Sequence, residues 1–480
     1  MEQKISALPY PKKVVLFDGK ADFQGISIHT NVPEWNRHTF LFNDLFRSLF
    51  GTNSGSILDI VLVKDEKLRK GAYIIDFSDK YSIYASDEEG AFYAAATLIQ
   101  LIEKSGSIYS VPKLRIEDYP DRDFRALMVD LARHWHPAEE VLKYIDICFL
   151  FKIKYLHLHF IDNERYTLPS HSFPKLPDSN ESYSAGDIKR ITDYAAARGI
   201  IIIPETEVPG HAEILNKAYP NIFNNKCSGD SEAFITEGGA VIEDESIVCA
   251  GSRTAEEAVK QLISETAGLF PNSPYLHIGG DEANIKVWEK CSTCKKYMEE
   301  NGIGDVQEFY SDFVARIAKH VLATGKTPIV WEGFGKSGAH KIPKETLVIS
   351  WESYYHLPSD LLEEGFRIIN ASWQPLYIVP AKGRFWNPMD VFNWNIFTWR
   401  HWWEKSKANK VPIEVPPTEK VIGGMICSWE SDFKRDISVI KENITAFSEK
   451  TWNIESNLTE NEFLSIREKA LMITDKIINA

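Results

Sequence analysis

The sequence lacks both a long apolar run and an excess of positive charge. No stretch approaches the roughly 20 consecutive apolar residues that a membrane-crossing helix needs. Acidic residues outnumber basic ones, 68 against 54, which gives a formal net charge of −14 and a pI near 5.5. A chain with this charge is not expected to bind nucleic acid or an anionic membrane surface.

The N-terminal segment also lacks the apolar core of a signal peptide. Residues Met1 to Lys20 contain lysines and only short apolar stretches, whereas a signal peptide carries a continuous apolar region after its positive charges. The sequence as given therefore predicts a cytoplasmic location.

Cysteine is scarce. The chain has six, at Cys148, Cys227, Cys249, Cys291, Cys294 and Cys427. Cys291 and Cys294 form a Cys-x-x-Cys pair, which can be half of a zinc site or a redox pair. A second such pair is absent, and the neighbouring lysines predict an exposed helix. The pattern favours free thiols over a disulfide or a metal ion.

What the sequence does contain is a change of pattern near residue 118. Before it, segments rich in Val, Ile and Tyr predict strands, and Asp87-Glu88-Glu89 predicts the start of a helix. After Arg125, apolar strands alternate with amphipathic helices, which predicts a parallel sheet. The predicted strands are Ala126–Asp130, Tyr155–Phe160, Ile200–Pro204, Tyr275–Gly279, Pro328–Trp331, Leu347–Trp351, Arg367–Asn370 and Ile422–Ser428. We predict an α/β fold, a (β/α)8 barrel with a C-terminal helix over residues 119–480, preceded by a small α+β domain over residues 1–118.

One stretch joins a short apolar strand to two adjacent acids. Because side chains alternate along a strand, His277, Gly279 and Asp281 share one face. The paired glycines allow the backbone to bend and leave room for a ligand. Asp281 and Glu282, at the C-terminal end of a barrel strand, predict an acid/base pair. The alternative is a solvated acidic pair at the start of the next helix.

The string His277-Ile278-Gly279-Gly280-Asp281-Glu282 resembles the signature of family 20 glycoside hydrolases, the β-N-acetylhexosaminidases. The resemblance implies a barrel behind a small domain, with Asp281 and Glu282 as the catalytic residues. It also implies a retaining mechanism in which the substrate's own 2-acetamido oxygen attacks the anomeric carbon. Glu282 would act as acid and base, and Asp281 would orient the acetamido group. Neither a metal ion nor a cofactor is implied.

Motifs on the first three barrel strands extend this resemblance. The segment from Arg125 to His134 is similar to the family's Arg-Gly-x-x-Leu-Asp-x-x-Arg-His, which implies that Arg125 binds sugar hydroxyls; a salt bridge is the alternative. The motif His-x-His-x-x-Asp ends at Asp162, which the resemblance makes a supporting residue, with a metal site as the alternative. The segment ending Pro-Gly-His implies that Glu207 and His211 lie at the substrate, although aspartate is usual where Glu207 stands.

Aromatic residues follow several later strands. The resemblance implies that four of them and one acid line the sugar pocket: Trp331, Trp351, Tyr377, Trp429 and Glu430. Core packing is the alternative for any single tryptophan. Val379 stands where the family has an aspartate that holds the sugar 6-hydroxyl. Its presence leaves open an enzyme that prefers N-acetylgalactosamine or a 6-substituted sugar.

The expected partner is therefore a carbohydrate, and the sequence does not indicate an oligomeric state. A carbohydrate-binding barrel without hydrolysis is the alternative from another class, and the intact acid pair argues against it. A family 18 chitinase is disfavoured because its Asp-x-x-Asp-x-Asp-x-Glu string is absent.

Overall fold

A computed structural model of the chain describes residues 4–51, 55–224, 234–235, 241–242 and 246–479. Cys227, one of the predicted thiols, lies outside the described residues. Within these ranges, no helix is long and apolar enough to cross a membrane.

The N-terminal unit is a seven-stranded mixed sheet with two helices. Its strands are β1 (Lys13–Phe23), β2 (Gly25–Thr30), β3 (Ile57–Lys64), β4 (Tyr73–Asp76), β5 (Ser82–Ala85), β6 (Glu103–Ser105) and β7 (Ile108–Asp118), and its helices are α1 (Asn36–Phe50) and α2 (Glu88–Leu101). The strand order is β1-β7-β4-β5-β3-β2, with β6 paired to β7. Helix α2 begins after Asp87, whose side chain accepts a hydrogen bond from the Gly90 backbone amide. The predicted helix α2 is present, whereas α1, β2, β6 and β7 lie outside the segments that the sequence predicts.

The remaining strands and helices belong to the part of the chain after residue 118. The strands are β8 (Phe124–Asp130), β9 (Tyr155–His159), β10 (Ile201–Val208), β11 (Phe234–Ile235), β12 (Val241–Ile242), β13 (Tyr275–Gly279), β14 (Thr327–Trp331), β15 (Leu347–Ser350), β16 (Arg367–Asn370), β17 (Tyr377–Ile378), β18 (Thr398–Trp399), β19 (Ile413–Glu414) and β20 (Val421–Ser428). The helices are α3 (Ala138–Leu150), α4 (Ala185–Ala196), α5 (Glu213–Ala218), α6 (Pro220–Phe223), α7 (Arg253–Leu269), α8 (Lys286–Lys290), α9 (Ser292–Glu300), α10 (Val306–Ala323), α11 (Pro358–Glu363), α12 (Trp373–Leu376), α13 (Pro388–Phe392), α14 (Phe433–Trp452) and α15 (Glu460–Ile478).

Eight parallel strands close into a barrel. They pair in the order β8-β9-β10-β13-β14-β15-β16-β20, and β20 pairs back with β8. All eight predicted barrel strands are therefore present, and the predicted (β/α)8 fold is confirmed. The short strand β17 pairs with the far end of β20 and extends the sheet at the barrel mouth.

Side chains fill the barrel interior. On β8, Ala126 and Met128 pack inside with residues such as Ile203 and Ile329. The alternating residues Leu127 and Val129 instead belong to the larger apolar cluster that includes the surrounding helices. A filled interior leaves the strand ends as the place for a functional site.

A buried polar cluster joins the N-terminal unit to the barrel. The Lys152 ammonium lies 2.9 Å from an Asp118 carboxylate oxygen, and both side chains are fully buried. The indole of Trp452 donates to the other Asp118 oxygen at 2.9 Å. Asp118 ends β7 and Trp452 ends α14, so these bonds fix the small unit against the amino-terminal side of the barrel.

The Cys291–Cys294 segment differs from its prediction. Cys291 is 5% exposed and Cys294 is fully buried, because the start of α9 packs against the loop that contains Gly251. The predicted helix is present and exposes Lys295 and Lys296, but it buries the two cysteines.

Candidate active site

The predicted acid pair lies on a tight turn just past β13. Gly279 and Gly280 have φ values of 71° and 90°, a left-handed region that glycine enters easily. A Cβ atom on Gly279 would lie 1.9 Å from a carboxylate oxygen of Glu207, so only glycine fits there. Glu282 itself has φ 41°. The backbone bends at the strand end, which lets Asp281 and Glu282 serve the same side of the barrel mouth.

Glu207 supports this turn from below. Its carboxylate accepts a hydrogen bond from the Gly280 amide at 3.1 Å. Burial, and after it the nearby Asp281 and Glu205, raise the pKa of Glu207 well above its usual range. The predicted substrate contact is thus replaced by a positioning role, because the contacts of Glu207 are with the turn that carries Asp281.

Asp281 is a buried carboxyl group with one oxygen available to a ligand. It is 8% exposed, and its Oδ1 atom is buried without a hydrogen-bond partner among the described residues. Burial raises the pKa of Asp281 to about 7, with a further contribution from Glu282, while His211 acts in the opposite direction. A ligand that donates a hydrogen bond, or carries positive charge, would relieve this cost.

Replacing Asp281 by Asn should stabilise the protein most at alkaline pH. The pKa of Asp281 rises from 3.8 to about 7 on folding, so the folded protein keeps a proton that the unfolded chain releases. This contribution to stability is present in full below pH 3.8 and is lost as the pH rises to about 7. Asparagine does not titrate, so the gain in Tm over wild type should widen from about pH 5 to about pH 8. Calorimetry on Asp281→Asn measures it, and the exposed Glu289→Gln is the control. A gain that stays constant with pH would contradict the pKa shift.

Behind Glu282 lies a chain of alternating acids and histidines. The His211 Nε2 atom is 3.4 Å from Glu282, and its Nδ1 atom is 3.1 Å from Asp162. Asp162 also lies 2.9 Å from His159, whose other nitrogen is 2.5 Å from Glu205. These contacts fix the charged groups behind Glu282, so we expect Glu282 to give up and take back its proton while its charged neighbours stay in place.

The charges in this chain are held in place by burial and pairing. Although burial opposes it, attraction to Asp162 raises the pKa of His211 well above its usual value. Burial likewise opposes ionisation of Asp162, but Arg133 and His211 hold its pKa well below the usual range. For His159, the pull of Glu205 outweighs burial and raises the pKa to about 10. A positively charged His211 beside Glu282 favours the carboxylate after it has given up a proton.

Glu205 is the hub of the histidines inside the barrel. Its oxygens lie 2.8 Å from His277 and 3.1 Å from His157, and the Trp331 indole donates to it at 2.6 Å. Burial opposes ionisation, yet His277 and His159 hold the pKa of Glu205 well below its usual range. Burial lowers the pKa of His157 to about 4. The two histidines of β9, His157 and His159, thus lie against Glu205 in the barrel interior.

Aromatic rings form the wall beside the acid pair. Trp331 lies 6.3 Å from Trp351 and 5.8 Å from Trp429 between ring centroids, and Tyr377 stacks on Trp351 at 5.7 Å. A fifth ring, Trp373, stacks on Tyr377 at 4.9 Å. The four predicted aromatic residues are therefore brought together, and Trp373 joins them. Flat apolar rings in this arrangement suit the apolar face of a sugar and a methyl group.

The prediction for Arg125 is wrong. Arg125 is 1% exposed at the amino-terminal end of β8. Its guanidinium donates to the Lys152 carbonyl at 2.9 Å and to the Tyr93 hydroxyl at 2.6 Å. Strand β8 runs away from Arg125 toward the mouth, so this side chain anchors the N-terminal unit and lies at the opposite end from Asp281.

Arg133, from the same motif, occupies the place that was assigned to Arg125. It follows β8 at the barrel mouth, 2.7 Å from Asp162 and 3.2 Å from Asp130. Its guanidinium lies 5.3 Å from the ring centroid of Trp429. Burial opposes its charge, but Asp162 and Asp130 raise the pKa of Arg133 further above its usual value. A planar fork fixed in this way can donate to two adjacent hydroxyl groups.

Glu430 reaches the mouth from the end of β20. It has φ 53°, and its amide donates to Asp130 at 3.2 Å. Its carboxylate accepts from the Lys382 ammonium at 2.8 Å. Val379 lies close by, 4% exposed, with its backbone paired to Arg384. An acid, a lysine and an apolar residue therefore form this rim of the pocket.

Glu332 is a structural acid that the sequence pattern did not reveal. It is fully buried and accepts hydrogen bonds at 2.9–3.2 Å from four successive backbone amides, those of residues 353, 354, 355 and 356. Its own carbonyl accepts from the Trp351 indole at 2.9 Å. Burial raises the pKa of Glu332 to about 7. The carboxyl group holds the loop after β15, and the backbone carbonyl of Glu332 fixes the Trp351 indole in the wall.

Sequence comparison identifies relatives over most of the chain. Two models of glycosyl hydrolase family 20 match, the catalytic domain over residues 123–455 and domain 2 over residues 4–119. A β-hexosaminidase from Akkermansia muciniphila is 33% identical over 309 residues, 60% of this chain and 60% of that protein. A β-hexosaminidase from Porphyromonas gingivalis is 31% identical over 320 residues, 62% of this chain and 40% of that protein. The matches thus span less than two thirds of these relatives.

Structure comparison agrees on the fold. A crystal structure of an exo-β-N-acetylglucosaminidase from Vibrio harveyi, in complex with N-acetylglucosamine, has a TM-score of 0.82 at 23% identity. The match covers 99% of this chain and 78% of that one. At this identity the similarity concerns the fold alone. Because the catalytic-domain model matches residues 123–455 and a second model of the same family matches the N-terminal unit, the chain belongs to glycosyl hydrolase family 20.

Proposed function

We propose that this protein is a retaining exo-β-N-acetylhexosaminidase. It would remove terminal non-reducing N-acetylglucosamine or N-acetylgalactosamine by substrate-assisted catalysis. The observation that carries the proposal is the buried Asp281 Oδ1 atom, which lacks a hydrogen-bond partner among the described residues. It adjoins Glu282 on one turn, beside a wall of aromatic rings.

The proposal of substrate assistance rests on the relative position of the two acids, which would lie on the same side of the sugar. Glycosidases that use two carboxylates place them on opposite sides of the anomeric carbon, about 5–5.5 Å apart when retaining and 6.5–9.5 Å apart when inverting. Asp281 and Glu282 are consecutive residues on one turn, so they do not span a ring in this way. An amide oxygen carried by the substrate can attack from the side that the protein leaves without a nucleophile.

In this reaction each acid has one task. Glu282 gives a proton to the leaving oxygen as the acetamido oxygen attacks, and it then takes a proton from the water that opens the cyclic intermediate. Asp281 accepts a hydrogen bond from the acetamido N–H and, as a carboxylate, stabilises the positive charge of the oxazolinium-like intermediate. Trp331, Trp351 and Tyr377 would enclose the acetamido methyl group.

Arg133 and Glu430 would hold the sugar hydroxyls away from the reacting centre. Both follow strands at the mouth, and both are fixed by Asp130, the arginine through its guanidinium and the glutamate through its amide. Hydrogen bonds to charged groups contribute about 1.5–3 kcal/mol each. Their geometry supports binding of vicinal hydroxyls at the non-reducing end, which is the requirement for an exo-acting enzyme.

The two arginines of the first motif make a matched test of this assignment. Arg133→Ala should lower kcat/KM by about 10- to 100-fold, mainly through KM, because charged hydrogen bonds to the sugar are lost. Arg125→Ala should leave KM unchanged and lower the free energy of unfolding by about 2–3 kcal/mol, because buried carbonyls lose their donor. Steady-state kinetics and denaturant unfolding on both variants measure these effects. A KM effect confined to Arg125→Ala would reverse the assignment.

A second candidate is specialisation for N-acetylgalactosamine or for a 6-substituted sugar. It rests on Val379, a buried apolar residue that cannot donate or accept at the 6-position, and on the Lys382–Glu430 pair nearby. A kinetic panel of aryl β-glycosides of N-acetylglucosamine, N-acetylgalactosamine and 6-sulfated N-acetylglucosamine separates the candidates. A preference for the unmodified gluco sugar supports the general hexosaminidase.

The activity itself is tested with an aryl β-N-acetylglucosaminide and by NMR of the first product. We expect turnover and release of the β-anomer of N-acetylglucosamine before mutarotation. Binding without turnover would instead support a carbohydrate-binding barrel. Release of the α-anomer would contradict retention, and with it the substrate-assisted route.

A further inference from the structure

Three cysteines, Cys249, Cys291 and Cys294, come from two separate parts of the chain and lie close together. Cys249 lies in the connection between β10 and α7, and Cys291 and Cys294 lie at the start of α9, after β13. The Cys249 sulfur is 3.9 Å from that of Cys291 and 3.8 Å from that of Cys294. All three sulfur atoms lie within 4.8 Å of one another. Their exposures are 0%, 5% and 0%.

These separations distinguish a metal site from a disulfide. Disulfide sulfurs lie about 2.05 Å apart, which is far shorter than the distances here. In a tetrahedral zinc site the zinc–sulfur bond is about 2.3 Å, which places neighbouring sulfurs about 3.8 Å apart. The separations of the Cys249 sulfur from those of Cys294 and Cys291, 3.8 and 3.9 Å, match the edges of such a tetrahedron. The Cys291 and Cys294 sulfurs lie within 4.8 Å of each other, so all three thiols are close enough to share one ion.

The local backbone fits the same interpretation. Cys291 precedes the first residue of α9, and Cys294 lies in its first turn, so the Cys-x-x-Cys pair turns both sulfurs to one side. The opposing loop approaches so closely that a Cβ on Gly251 would lie 2.6 Å from the Cys294 Cα atom. The indole of Trp288 donates to the Val248 carbonyl at 3.0 Å and ties the same two loops together.

We propose that Cys249, Cys291 and Cys294 bind a structural zinc ion as thiolates. Binding is a ligation step without redox change, in which each thiol loses its proton to solvent and three zinc–sulfur bonds form. Structural zinc sites use four donors, and this cluster supplies three of them. This site revises the sequence-based preference for free thiols, and it does not depend on the proposed hydrolase activity.

The zinc ion would connect the chain segment that follows His211 to the segment that follows Glu282. The connection containing Cys249 is bonded to the His211 segment, since the Ala212 amide donates to Ser246 and the Val248 amide donates to Pro209, both at 2.9 Å. Cys291 follows α8, which follows Glu282. Zinc at this position would therefore fix the loop of His211 relative to that of Glu282 without contacting the sugar.

The full chain, expressed with zinc in the medium and freed of loose metal by gel filtration, tests the proposal. Elemental analysis should give about one zinc per chain. Replacement by Co²⁺ should produce thiolate-to-cobalt charge-transfer absorption, which carboxylate and imidazole sites do not give. Cys249→Ser and Cys294→Ser should lose both signals. Cys148→Ser, a change of an equally buried thiol outside the cluster, should keep them.

If a variant fails to fold, the proposal is tested on the wild-type protein alone. A strong chelator should lower its Tm, and added zinc should restore it. Protein that contains no metal and whose cysteines all react with a thiol reagent after denaturation would overturn the proposal. So would a mass two hydrogens lower than the reduced chain, restored by reductant, because that result indicates a disulfide.

Discussion

Glu282→Gln should lower kcat/KM by about 10²–10⁴-fold on substrates with a poor leaving group, the range of general acid catalysis. Glutamine cannot give a proton to the departing oxygen, and it cannot take one from water. An aryl leaving group that departs as a stable anion needs no proton, so its release should be affected much less. Turnover of a disaccharide and of a dinitrophenyl glycoside, compared in wild type and variant, measures the difference.

The control for this variant comes from the helix that follows the loop of Glu282. Glu289 is exposed on α8 and is not a member of the acid–histidine chain, so Glu289→Gln should leave both rates unchanged. Equal losses on good and poor leaving groups would assign Glu282 a role in binding. Unchanged turnover of the disaccharide would remove it from the chemistry.

Asp281→Ala should lower kcat by about 10²–10³-fold, the usual effect of removing one preorganised partner of a charged transition state. The loss should depend on the acetamido group, because Asp281 acts by accepting from its N–H. Measuring kcat/KM with 2-acetamido and 2-hydroxy substrates, in wild type and variant, gives a double cycle. Wild type should discriminate strongly against the 2-hydroxy sugar, and the variant should discriminate much less.

An additive cycle would contradict this coupling. If Asp281→Ala slowed the plain glucoside as much as the N-acetyl substrate, Asp281 would act on the barrel mouth in general. The stability measurement with Asp281→Asn complements the cycle, since a folded variant shows that the turn tolerates loss of the carboxylate at this position.

The fold could be predicted because each barrel strand has a recognisable local sequence pattern. Each barrel strand is a short apolar run that ends in polar or aromatic residues, and buried parallel strands have this pattern. Tyr275–Gly279 is an example, since its predicted bounds coincide with those of β13. Helix α1 was missed because its stripe of buried residues, Thr39, Phe42 and Phe46, is narrow and it lacks a side-chain cap.

The site could be predicted in part. Asp281, Glu282, Asp162, His211 and the aromatic residues follow strands, and the direction of a parallel strand brings such residues to one end. Arg125 lies at the start of β8, and Arg133 follows the end of the same strand. A motif of two arginines does not state which one lies at the mouth, and the strand bounds Phe124–Asp130 decide it.

Contacts between distant loops were beyond a sequence pattern. Cys249 lies about 40 residues before the Cys-x-x-Cys pair, so no spacing rule joins them. The buried Glu332 shows the same limit, because its partners are four backbone amides that carry no sequence signal. Groups of this kind become visible only when the strand order is known.

The most direct test of the account is the rate on a series of aryl β-glycosides whose N-acetyl group carries none, one, two or three fluorine atoms. Fluorine withdraws electrons from the amide oxygen, so a reaction in which that oxygen attacks the anomeric carbon should slow steeply with each substitution. We predict this steep fall in kcat/KM. A flat series, or a glycosyl ester trapped on a carboxylate of the protein, would contradict substrate assistance.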